Sequence, residues 1–139
     1  MENIFLERYA QLLVNYSLSI KPGEKLFIQT TPLAEPLVRE VYKAALRAGA
    51  AVVEIDFLFE GKQDIFLQNA NKMQLAEAPP LYKLAMETFD AYLHIRAPFV
   101  DSDKFRSDVD TRKNAKLRQK ALQPIYEIYN ERTGTRALK

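Results

Sequence analysis

Apolar positions in this chain switch repeatedly between a helical and a strand period. Between residues 3 and 17, Phe5, Tyr9, Leu12, Leu13 and Tyr16 recur at helical spacing, with Glu7, Arg8, Gln11 and Asn15 opposite. This predicts an amphipathic helix with the aromatic stripe as its apolar face. Residues 21 to 24, Lys-Pro-Gly-Glu, have turn chemistry, and a short strand over Lys25 to Thr30 follows. A second helix spans 34 to 48, its buried stripe marked by Leu37, Val38, Val41, Ala45 and Ala48. Pro36 fits only near a helix start, where the first N–H groups lack partners anyway, so the helix begins at about Leu33 or Ala34. Gly49 stands where a left-handed stop is wanted.

Ala51 to Phe59 reads as a second strand, its early run apolar enough to be covered on both faces, and Gly61 breaks it. Asp64 to Glu77 is expected to be one helix with Ile65, Phe66, Ala70 and Met73 inward. Pro79-Pro80 opens another, with Leu81, Leu84, Ala85 and Phe89 on its inner side. Ala91 to Ala97 is the third strand, ended by Pro98. Residues 101 to 110 read as a polar loop with one helical turn after Ser102. A long helix capped by Asp110 runs to about Glu131, with Pro124 expected to kink it. After the turn signal Thr133-Gly134-Thr135 a new β-like segment is expected to begin, so the chain reads as a piece of a larger protein.

The order α-β-α-β-α-α-β-α means right-handed βαβ units. The fold class is α/β, with a parallel sheet of at least three strands, ordered 2-1-3, and helices on both faces. Leu26, Ile28, Val53, Ile55, Leu93 and Ile95 form its expected buried set. There is no internal repeat.

Composition narrows the chemistry. At 139 residues the chain is one domain, and a net charge of +2 does not make it a polyanion binder, so no nucleic-acid partner is expected. With no cysteine, a disulfide framework, a thiolate metal site and a cysteine nucleophile are excluded. The acidic start, Met1-Glu2-Asn3, does not lead into a signal-peptide core, and no run reaches the about 18–20 apolar residues of a membrane span. The expectation is a cytoplasmic protein without a membrane partner.

Candidate chemistry is sparse. The first strand–helix turn, Gln29-Thr30-Thr31-Pro32-Leu33, lies where open α/β folds hold ligands, and Thr30 and Thr31 could offer hydroxyls beside a helix N-terminus. It contains no glycine, so a backbone cradle for pyrophosphate is not expected, and turn-closing hydrogen bonds are the favoured role. Glu54 and Asp56 share one side of the second strand and could do acid–base work or hold a cation, but a wet strand face explains them as well. His94, the sole histidine, has no serine or carboxylate at a telling spacing. Residues 112 to 120 hold five basic residues and no acid, read as an exposed helix face. Tyr126 and Tyr129 are candidates for packing or interface. No catalytic, cofactor-binding or metal-ligating residue is assigned.

Residues 6 to 55 resemble the amino-terminal region of the thermophilic-aminopeptidase family. The resemblance rests on "YAQLLVNYSLSIKPGEKLFI" followed by "PLVREVYKAALRAGA". Further on, "APPLYKLAMETFDAYLHIRAP" and "RQKALQPIYEI" are similar to the family's third βα unit and its following helix. The resemblance implies that residues 1–139 are the amino-terminal domain of a two-domain, homodimeric enzyme that removes amino-terminal residues from peptides. It also implies two divalent ions (zinc, cobalt or manganese) in a carboxy-terminal catalytic domain, where a metal-bound water attacks the peptide carbonyl. None of the ligand motifs falls in this chain, which is expected to be inactive alone. The alternative is a stand-alone flavodoxin-like module that binds a small anion or nucleic acid.

Overall fold

A computed structural model describes residues 3–99 and 109–139. The elements are α1 (Ile4–Leu12), β1 (Lys25–Thr30), α2 (Glu35–Arg47), β2 (Val52–Phe57), α3 (Lys62–Asn69), α4 (Lys72–Ala76), α5 (Pro80–Thr88), β3 (Ala91–His94) and α6 (Val109–Gly134). The strands form one parallel sheet in the order β2-β1-β3, as the βαβ pattern predicts. Leu26 pairs with Val53 on one side and Ala91 on the other, and Gln29 pairs with Asp56 and His94. Paired residues of a parallel sheet point to the same face, so this register decides which side chains meet.

Leu26 and Ile28 point to the first face and are fully buried against Ala10 of α1, Val14 just after it, and Val38 and Val41 of α2. Val53, Ile55, Leu93 and Ile95 pack on the same cluster but are only half-buried. They belong to the flanking strands or, for Ile95, directly follow one, whereas β1 has a neighbour on each side. Phe27 points to the second face, into a core built from Ala85, Met86, Ile125 and Leu138 under α5 and α6. Gly49 ends α2 with φ +94°, and a Cβ there would also lie 3.1 Å from the Pro22 Cα. The chain turns there because only glycine accepts both conditions.

Three helix faces differ from the sequence expectation. Along α1 and the π-helical turn Leu13–Ser17 that continues it, the buried residues are Ala10 and Val14, while Phe5 and Tyr16 are about 80% exposed and Tyr9 and Leu12 also face out. Small side chains let α1 lie close on the alanine-rich side of α2, where Ala44 and Ala45 are buried. The expected single helix over 64–77 is two helices. Asn71 stops the first and caps the second: its Oδ1 accepts from the Gln74 N–H (2.9 Å), while its own N–H donates to Gln74 Oε1 (2.8 Å). That break rotates the inward face, so Leu67 and Leu75 are buried and Ile65 and Met73 are exposed. In α5, Ala85 and Met86 face in while Leu81 and Leu84 face out.

The long helix α6 runs through Pro124, with Asp110 inside its first turn rather than preceding it. The loop expected over 101–110 lies, as far as residue 108, outside the described residues. Tyr126 and Tyr129 are half-buried, and Tyr129 meets Tyr92 edge-on with ring centroids 6.0 Å apart. Neither is among the exposed large apolar residues, which are spread over several elements and include Phe5, Tyr16, Met73 and Leu81.

Candidate functional site

The carboxyl ends of the strands are where such a sheet would bind a ligand. β1 leads there into a single 3-10 turn, Pro32–Ala34, and then α2, with Pro36 inside the first helical turn. Both threonine hydroxyls at this junction are used inside the fold. Thr30 Oγ1 donates to the Ile95 carbonyl at 2.8 Å, and Thr31 Oγ1 donates to the Ala97 carbonyl. Thr30 is fully buried. These bonds tie the end of β1 to the segment after β3, so neither hydroxyl is left to donate to a phosphate. The expected turn-closing role is what the geometry supports.

A polar ladder crosses the second face at the next layer. Gln29 is its centre: its amide donates to Asp56 Oδ2 at 3.1 Å, and its carbonyl accepts from the Tyr92 hydroxyl at 2.7 Å. Burial pushes the Tyr92 phenol well above its ordinary value of 10.0, and the neighbouring Tyr82 and Tyr129 add to this. Tyr82 is also raised, first by burial and then by Tyr126. Phenols held that high do not ionise near neutrality and are poorly placed as bases or nucleophiles. His94 is exposed and stacks on Tyr92 with its ring nearly parallel at 6.3 Å.

Glu54, Asp56 and His94 do not converge on a metal. Glu54 is exposed, Asp56 is held by Gln29, and His94 lies on the far side of β1 from both. Among the described residues no three His, Asp or Glu side chains group in a way that could hold an ion. A dinuclear centre needs several converging donors, and these residues do not fit one.

The basic stretch on α6 divides between two roles. Arg112, Lys113, Lys116 and Lys120 are exposed, as expected for a solvated face. Arg118 turns inward instead. It donates to the carbonyls of Gln74, Leu75 and Glu77 at the end of α4, with its guanidinium 4.7 Å from the Phe66 ring centroid. Asn114 similarly donates to the Leu67 carbonyl of α3 (2.7 Å), and Arg132 donates to the Met86 carbonyl of α5. α6 therefore supplies side-chain donors to carbonyls in the last turns of three helices. Sequence reasoning missed these roles and the Gln29 ladder, because both depend on which elements become neighbours. No helix among the described residues is long and apolar enough to cross a membrane.

Residues 3–139 match the family described as thermophilic metalloprotease (M29). Aminopeptidase 2 of Geobacillus stearothermophilus is 34% identical over 124 residues, a match covering 86% of this chain and 29% of that protein. The structure of wild-type AmpT from Thermus thermophilus superposes with a TM-score of 0.72 at 21% identity, covering 91% of this chain and 33% of the other. The chain thus spans about a third of the length of these relatives. From the family match over nearly its whole length, the chain belongs to the thermophilic metalloprotease family.

Proposed function

We propose that residues 1–139 are the amino-terminal α/β domain of a metal-dependent aminopeptidase, and that the catalytic metal ions are held by a carboxy-terminal domain of the same protein. The observation that carries this reading is the combination of a family match over residues 3–139 with coverage of only 29% of the aminopeptidase relative. The site geometry agrees. The hydroxyls at the strand ends, Gln29 and Asp56 are all engaged within the fold, and the described carboxylates and histidine do not converge. In this reading the domain positions and partly encloses the catalytic domain, and the whole enzyme releases amino-terminal residues from peptides in the cytoplasm. The apolar stripe that α1 turns outward supports a contact role, including contact within a homodimer.

The test compares this chain with the full-length protein on leucine anilide and short peptides, each with zinc, cobalt or manganese added. Turnover by the full-length protein alone is expected. Metal-dependent turnover by the 139-residue chain, abolished by Glu54→Gln or His94→Ala, would return catalysis to this domain.

A further inference from the structure

We infer that the outer edge of β3 takes a fourth parallel strand, formed by the segment of the full-length protein that runs on from Lys139. The inference rests on reading this chain as one domain of a longer enzyme. The first residue of that strand is already in place. The Lys139 N–H donates to the Asp90 carbonyl at 2.9 Å, and the Tyr92 N–H donates to the Lys139 carbonyl at 3.0 Å. One residue bonded to the two that flank Ala91 is the hydrogen-bond pattern of a parallel ladder.

Side chains obey the same register. Leu138 is buried on the second face with Phe27, Met86 and Ile125. Lys139 points to the first face, where its ammonium donates to the Ser19 carbonyl at 2.7 Å and pairs with Glu24. Alternation between the two faces of the sheet has therefore begun.

Beyond Lys139 the edge is open among the described residues. The Ile95 N–H donates to Gln29 of β1, so alternation directs the Tyr92 carbonyl and the His94 N–H away from β1. Neither has a partner among the described residues. Burial falls in step with the missing neighbour: Ala91, beside Lys139, is fully buried, Tyr92 and Leu93 are half-buried, and His94 is exposed. An unpaired edge next to a started ladder is a template for the next residues of the same strand. The occupant is a short extended segment with apolar side chains on both faces. Its first residue would lie beside Tyr92 on the Tyr129 side, and its second beside Leu93 over the first core.

Hydrogen exchange on the full-length protein tests this at the His94 amide. Pairing should slow its exchange by at least about a thousandfold, in the range of core-strand amides. His94→Pro removes this outward donor, a change that a strand tolerates where the N–H faces solvent but not where it is paired, so it should lower Tm markedly, whereas His94→Ala keeps the N–H and should change it little. A His94 amide exchanging near the unprotected rate, with His94→Pro as stable as His94→Ala, would overturn the fourth strand while leaving the domain reading intact. A reading frame that stops at Lys139 would overturn both.

Discussion

Thr30 and Ile95 lie at the carboxyl ends of neighbouring segments, and the Thr30 hydroxyl donates to the Ile95 carbonyl from a fully buried position. This explains how a strand–helix turn can do without glycine: its polar groups fasten the sheet's end and leave no cradle. Thr30→Val keeps the shape and removes the donor. It should cost about 1–3 kcal/mol, the penalty for leaving a buried carbonyl without its partner. Thr31→Val should cost less, because Thr31 is only half-buried and water can replace its bond. Urea denaturation of the two variants beside the parent measures the difference. Equal stability of Thr30→Val and the parent would remove the structural role assigned to this turn.

Much of the fold is legible in the sequence, because strand and helix periods are local. Lys25–Thr30 has the same bounds in the structure, and Gly49 stops its helix as expected. The α1 face was not legible. Period alone cannot tell which of two stripes packs, and close helix approach chose Ala10 and Val14 over Phe5 and Tyr16. The break at Asn71 depends on a side chain competing with the helix, which a moment of hydrophobicity does not register. At the candidate site, the closing role of Thr30 could be argued from turn chemistry. The Gln29 ladder could not, since it needs the register that brings Asp56 and Tyr92 to either side of one residue.

Ile28 is the strongest test of the sheet. It is fully buried at the centre of β1 and pairs with Ile55 and Leu93. Ile28→Ala should destabilise by about 2–5 kcal/mol, from lost transfer energy and a cavity flanked on both sides. Ile55→Ala, on the half-buried flanking strand, should cost clearly less. Chemical denaturation midpoints rank the two, and the reverse order would contradict the assignment of β1 as the central strand.

Arg118 separates the capping role of α6 from that of a polyanion-binding face. Arg118→Ala removes donors to the end of α4 and the stacking on Phe66, and should cost about 1.5–3 kcal/mol, as hydrogen bonds to a charged group do. Lys116→Ala, on an exposed position of the same helix, should stay within about 0.5 kcal/mol of the parent. Limited proteolysis should locate new cleavage in Arg118→Ala near residues 70–78. Unchanged protection there would mean that the guanidinium does not hold α4 in place.

Glu24 gives the domain a pH dependence of defined sign. Burial alone would raise its carboxyl, but the hydrogen bonds from Lys139 and from the Lys21 N–H (2.6 Å), with the positive charge of both lysines, outweigh that and hold it below 4.5. The unfolded chain, with the ordinary value, then binds more protons than the folded one across this range. Stability rises with pH wherever that holds. The contribution is therefore fully present above about pH 4.5 and is lost as pH falls through the lower folded value. Glu24→Gln has no such proton to bind. Its stability should fall short of the parent near neutrality, and the gap should close on acidification, since the other carboxylates titrate in both proteins alike. Urea midpoints taken from neutrality down through the carboxylate range measure the gap directly. Two curves that stay parallel through that range would show that the Glu24 carboxylate is no better held in the folded chain than in the unfolded one.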